Sequence, residues 1–144
     1  MSGTTLTRAR MLEALDRWIR AWGDHDLDGV MELFHEDVVF ENWTGARVEG
    51  RENLRRAWEP WFAGRDFRFL TEDLFVDEAD QKALYRWTLE WISRLPGHEG
   101  RLERRRGVDV IRFRDGLIAA KLTYLKTCVE VGGEALRPAG YRPK

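Results

Sequence analysis

The stretch RRGVDVIRFRDGLIAAKLTYL, residues 105–125, decides the reading of the fold. Val108, Val110, Ile111 and Phe113 on one side of Asp115-Gly116, and Leu117 to Tyr124 on the other, are residues that suit a pleated surface. The Asp-Gly pair between them is a hairpin signal, because both residues tolerate the positive φ that a tight turn requires. The expectation is two long antiparallel strands, Leu102 to Arg114 and Leu117 to Val131. Alternation along the first places Asp109 on the same face as Ile111 and Phe113. A carboxylate set among apolar side chains could act as a general acid or base, or as a protonated donor to an oxyanion. It could equally face solvent or pair with Arg104, Arg105 or Arg106.

Lys121 interrupts the second strand and is expected to share a face with Ala119, Thr123 and Leu125. If that face is inward, the ammonium holds Asp109 ionised or polarises a ligand carbonyl; if outward, it is a solvated edge charge. A bulge after Gly116 would exchange it with Tyr124.

Upstream of Pro96, Gly97 and Gly100, the period of two continues through Phe67, Phe69, Leu74 and Val76, and then through Tyr85, Trp87, Leu89 and Trp91. Before Phe67 the period is helical. Thr7 precedes Met11, Leu12, Leu15, Trp18, Ile19 and Trp22, with Gly23 where a C-terminal cap belongs. Asp26 caps a shorter helix with Leu27, Val30, Met31 and Phe34 on one side, and strand character begins near Asp37 with Val38, Val39 and Phe40. Leu54, Ala57, Trp58, Trp61 and Phe62 suggest a third helix, kinked or ended at Pro60. Three helices followed by several antiparallel strands imply an α+β domain, one sheet curling around the helices.

The 144 residues fit one domain, 1–144, with a loose tail from about 132. With 24 basic and 25 acidic side chains there is no overall field to attract nucleic acid or an anionic membrane. Cys128 alone permits neither an internal disulfide nor a multi-thiolate metal site, which fits a cytoplasmic location. No signal peptide or membrane-length apolar run is visible. His25, His35 and His98 lack metal-ligand spacing, and no cofactor motif is present. Glu99 and Glu103 interrupt the arginine cluster that ends at Arg106. Seven Trp and seven Phe exceed what core filling normally uses, so a pocket or an interface needs large flat surfaces. Trp43, Trp58, Trp61, Trp87 and Trp91 are the candidate pocket-lining rings, with Asn42 and Asp109 orienting a ligand.

The 105–125 stretch resembles the C-terminal strand pair of SnoaL-like polyketide cyclases and ketosteroid isomerases, members of the nuclear transport factor 2-like superfamily. WIRAWGDHDLDGVMELFHEDVVFEN (18–42) and GARVEGRENLRRAW (45–58) are similar to their first two helices, first strand and third helix. The resemblance implies a cone-shaped α+β barrel, three N-terminal helices packed on a curved, mainly antiparallel sheet. It implies that Asp109 is the acid/base or oxyanion-binding acid. The isomerase's proton-shuttling carboxylate falls at Asn42, an amide that cannot accept a proton in that role, and its oxyanion Tyr falls at Trp18. Glu41 points to the other strand face. The related limonene epoxide hydrolase scheme uses an Arg and two acids; Gly107 stands two residues before Asp109, with Arg105 beyond it. The implied function is a cofactor-independent isomerase, cyclase or lyase transferring protons on a small hydrophobic carbonyl or polyketide-like substrate. Asp109 and Asn42 are its candidate catalytic residues, and Trp18, the five pocket tryptophans and Lys121 its candidate ligand contacts. The alternative is a non-catalytic small-ligand-binding or association module. The family also implies a homodimer through the outer sheet face, where Val108, Val110 and Arg112 alternate away from Asp109.

Overall fold

A computed structural model of the chain describes residues 3–137. Helix α1 (Arg8–Gly23) starts where Thr7 Oγ1 accepts the Arg10 N–H at 3.2 Å. Its cap is Asp24 rather than Gly23, and His25 takes the left-handed turn (φ 53°) with its ring bonded to the Phe67 carbonyl. Helix α2 (Leu27–Glu32) is capped by Asp26 as expected but ends before Phe34. That residue instead opens strand β1 (Phe34–Glu41) and is fully buried. Strand β2 (Arg47–Glu49) leads into α3 (Arg51–Gly64).

The helix does not end at Pro60: α3 continues for four residues beyond it. Pro60 and Arg56 are both exposed, so the carbonyl that loses its helical donor lies on the water side, where the loss costs least.

The remaining strands are β3 (Phe67–Asp77), β4 (Lys82–Ile92), β5 (Leu102–Arg114), β6 (Leu117–Leu125), β7 (Val129–Val131) and β8 (Glu134–Leu136). The sheet order is β2-β1-β6-β5-β4-β3, all antiparallel except β1 beside β6, with β7 added to β5 and β8 to β7. The second long strand of the sequence reading is therefore two: β6 stops at Leu125, and Val129–Val131 is a separate strand. The tail expected to be loose opens with the turn and strand of β8, while residues 138–144 lie outside the described part. No helix among the described residues is long and apolar enough to cross a membrane.

Two bulges set which side chains face the helices. One between Thr71 and Asp73 moves the buried set of β3 from Phe67 and Phe69 to Leu74 and Val76. The other falls at Ala119: Ile111 pairs with Lys121 and Arg112 with Ala120, but Phe113 pairs with Ile118. Ile118 therefore takes the inward place expected of Ala119, and Lys121 and Thr123 both point inward while Tyr124 is half exposed. Along β5 the inward set is Glu103, Arg105, Gly107, Asp109, Ile111 and Phe113. This long antiparallel pair thus carries polar groups into an otherwise aromatic interior.

Candidate functional site

Between the helices and the concave face lies a cavity of about 250 Å³. Its walls are Trp22 of α1, Trp58 and Trp61 of α3, Phe40, Phe69, Trp87 and Trp91 of the sheet, and Trp43 just beyond β1. The rings brace one another: Trp22 meets Trp58 and Phe69 edge-on, and Trp61 stacks on Phe67 at 4.1 Å. Edge and stacked contacts of this kind lock ring orientation, so the walls are stiff. Gly107 makes one wall feasible. A Cβ there would lie 2.5 Å from Trp87 Cη2 and 2.6 Å from the Tyr124 carbonyl oxygen, so only glycine lets the indole lie against β5.

Three polar side chains reach this cavity: Asn42, Lys121 and Thr123. Lys121 Nζ donates to Asp109 Oδ1 at 3.1 Å and to Thr123 Oγ1 at 3.0 Å; the Thr123 hydroxyl in turn donates to Asp109 Oδ1 at 2.7 Å. The ammonium also lies 4.7 Å from the Phe40 ring centre and 5.7 Å from that of Trp58. Phe40 is its direct neighbour across the parallel β1–β6 pairing. Burial pushes the Lys121 amine below its ordinary 10.5, and the charge and hydrogen bond of Asp109 offset only part of this. Across from Asp109 on β4, burial and the Asp109 charge push Tyr85 up to about 12 against a hydrogen bond with Thr71, so its phenol stays protonated.

Asp109 is buried and faces inward, but it does not line the cavity. Lys121 and Thr123 stand between it and any ligand. None of Arg104, Arg105 and Arg106 pairs with it, since they bind Glu90, Glu103 and Glu130 respectively. Asn42 lines the cavity, and its carbonyl oxygen accepts the Trp43 backbone N–H at 2.8 Å.

Trp43, Trp58, Trp61, Trp87, Trp91 and Lys121 all line this cavity. Trp18 does not: it is core, packed edge-on against Trp22, Phe34 and Tyr85. It also lines a separate groove of about 500 Å³ along α1 and α2, larger than the aromatic cavity but lined by many charged side chains and by no buried charged group. The sequence reading missed Trp22, Phe40, Phe69 and Thr123. Trp22 and Phe69 lie on the apolar faces of α1 and β3, and nothing in one-dimensional spacing separates a ring that fills the core from one that lines its void.

A second inward cluster sits at the cavity's edge. Glu103, 1% exposed, accepts from Trp91 Nε1 (2.5 Å), Ser93 Oγ (2.9 Å) and Arg105 Nε (2.5 Å). The Arg105 guanidinium stands over both Trp43 and Trp91. Burial alone would raise the Glu103 carboxyl, but these three hydrogen bonds and the Arg105 charge outweigh it and hold it below 4.5.

The SnoaL-like domain model covers residues 15–121. The chain belongs to the SnoaL-like domain family. Among solved structures it is similar to an NTF2-like protein of unknown function from Mesorhizobium loti, at 27% identity and TM-score 0.69, over 88% of this chain and 99% of that one. SalBIII, an epoxide hydrolase/cyclase-like enzyme with a role in pyran ring formation in the polyether salinomycin, shares the fold. Its identity is 18% and its TM-score 0.72, over 86% of this chain and 96% of that one. An NTF2-like protein of unknown function from Burkholderia xenovorans is also similar in fold, at 21% identity and TM-score 0.61, over 82% and 84% of the two chains. No curated protein matches the sequence.

Proposed function

We propose that this SnoaL-like protein binds a small, flat, largely apolar carbonyl compound in the aromatic cavity and catalyses proton transfer on it, as an isomerase, cyclase or lyase. The observation that carries the reading is the buried Lys121–Asp109–Thr123 set on an otherwise apolar floor. Taking an ammonium and a carboxylate out of water costs several kcal/mol for each ion, and a fold that only needed to pack would place apolar side chains there. Lys121 donates to the ligand oxygen as negative charge develops on it, where a dry site makes the interaction strong. Passing one proton from Nζ to Asp109 converts the ion pair into a neutral amine and acid. Lys121 then takes a proton from the ligand, and Asp109 holds the one displaced. Asp109 thus acts through Lys121, and Asn42 positions the ligand with its NH₂. The chemistry asks only for proton transfer, so no cofactor is invoked.

The test needs no knowledge of the natural substrate. Exchange of the α-protons of small aryl ketones into D₂O, followed by proton NMR, should be accelerated by the protein. Asp109→Asn should slow it by on the order of 10²–10⁴-fold, while quenching of tryptophan fluorescence by the same ketones changes little. Exchange that survives the substitution would remove Asp109 from the mechanism, and no acceleration by the wild type would remove proton transfer from the account.

Two observations favour a binding-only module: Asp109 is screened from the cavity, and an amide stands at position 42. That reading predicts quenching by the ketones with no accelerated exchange. The homodimer belongs to the same proposal. Phe75, Leu84, Val110 and Leu122 are in register across β3, β4, β5 and β6, forming an apolar row on the convex face in which Phe75 is 61% exposed. A patch of this kind supports a second copy as its cover. Light scattering at micromolar concentration should give twice the chain mass, and a monomer would contradict it.

A further inference from the structure

Only four of the chain's 24 basic residues are lysine: Lys82, Lys121, Lys126 and Lys144. Among the described lysines, Lys121 alone is in the cavity wall, 6% exposed, where a guanidinium would also have supplied a charge. An amine differs from a guanidinium in that it can lose its proton and attack carbon. Attack needs three things: an amine that is not locked as ammonium, access to the carbonyl carbon, and a group that moves protons during the addition. Burial supplies the first, since it pushes the Lys121 amine below the ordinary lysine value. The cavity supplies the second, because Nζ lies against the Phe40 and Trp58 rings, the surface over which a flat ligand must slide. Asp109 supplies the third at 3.1 Å, with Thr123 bridging the two.

We infer that Lys121 is a nucleophile, forming a Schiff base with an aldehyde or an unhindered ketone bound in the aromatic cavity. This rests on the proposed carbonyl-binding role and goes beyond it by restricting the ligand class to carbonyls that an amine can condense with. It excludes esters and carboxylic acids. In the step, the Lys121 ammonium first passes one proton to the Asp109 carboxylate. The Nζ lone pair then adds to the carbonyl carbon, and the C=O π pair moves to oxygen, which takes the proton held by Asp109. The nitrogen, now cationic, gives one proton back to the Asp109 carboxylate, leaving a neutral carbinolamine. Asp109 passes that proton to the hydroxyl, which leaves as water while the nitrogen lone pair forms C=N. The product is a protonated Schiff base beside the Asp109 carboxylate, so the net change is ammonium plus carbonyl to iminium plus water.

Reductive trapping tests it. Wild-type protein is incubated near pH 7 with benzaldehyde and cyanoborohydride, whose hydride reduces the imine to a stable secondary amine, and the labelled site is read by peptide mass spectrometry. Lys121 should gain a benzyl group faster than the exposed Lys126 by on the order of tenfold or more, because the cavity concentrates the aldehyde beside it. Lys121→Arg should lose the fast label, and Lys126→Arg, outside the cavity, should keep it. Quenching in the wild type with no preferential label at Lys121 would overturn the Schiff base and leave carbonyl binding intact. Absence of both quenching and label would overturn the two together. The wild-type map decides the point even if the variant does not fold.

Discussion

Strand β5 carries two buried carboxylates on one face, Glu103 and Asp109, and the protein treats them differently. Glu103 is saturated: both oxygens accept, from Trp91, Ser93 and Arg105, and every donor comes from the same end of the sheet. Asp109 accepts from Lys121 Nζ and Thr123 Oγ1 on one oxygen, Oδ1, and both donors also face the cavity. A saturated cluster can only hold a structure together. A cluster whose members still face empty apolar space can exchange a partner for a ligand atom. The difference teaches that burial of charge does not by itself mark a reactive site; what marks it is burial combined with an ammonium and a hydroxyl that both face the cavity while they hold one carboxylate oxygen.

Three substitution or pH experiments would break or sharpen that contrast. The largest effect is expected at the saturated cluster: Glu103→Ala leaves Arg105, Trp91 Nε1 and Ser93 without their acceptor. It should cost about 3–5 kcal/mol in chemical denaturation. A loss under 1 kcal/mol would mean that the cluster is solvated and not structural. The second effect has the opposite sign. Replacing the reactive pair together, Asp109→Leu with Lys121→Met, should leave stability unchanged or raise it by about 1–4 kcal/mol, since apolar residues of similar volume often outdo a buried ion pair. The same double variant should lose α-proton exchange and aldehyde labelling. A large loss of stability there would show that the pair is structural after all.

The smallest effect is in acid. Glu103 has a native pKa held below its ordinary 4.5, so its contribution is fully present above 4.5 and is lost as pH falls through the lowered native value. The stability gap between wild type and Glu103→Gln should therefore be flat above about pH 5 and should shrink on further acidification. A gap that widens in acid would mean that burial wins over the hydrogen bonds.

The fold was legible because its signals are local. Thr7 and Asp26 as caps, Asp115-Gly116 as hairpin and the period of two from Phe67 each follow from one residue type in one place. Pro60 and Phe34 misled for the same reason: local propensity takes no account of which helix face is wet or where a strand takes over a helical spacing. The site was legible at Asp109 and in the five tryptophans, as polar or oversized residues in apolar runs. Its working geometry was not. Whether Lys121 or Tyr124 points inward depends on one bulge at Ala119, and that Lys121 stands in front of Asp109 depends on how β6 pairs with both β1 and β5. Trp18 was placed at the site because it occupies the position of a family tyrosine, but its ring turns into the core between Phe34 and Tyr85.

A phenolate such as 4-nitrophenolate mimics an enolate oxygen on a flat ring and cannot condense with an amine, so a crystal structure of its complex isolates the claim that Lys121 is what the cavity presents. The phenolate oxygen should lie about 2.7–3.2 Å from Lys121 Nζ, with the ring between Trp58 and Trp87. An oxygen held by Asn42 or Arg105, with the Lys121 ammonium still closed on Asp109 and out of reach, would contradict it.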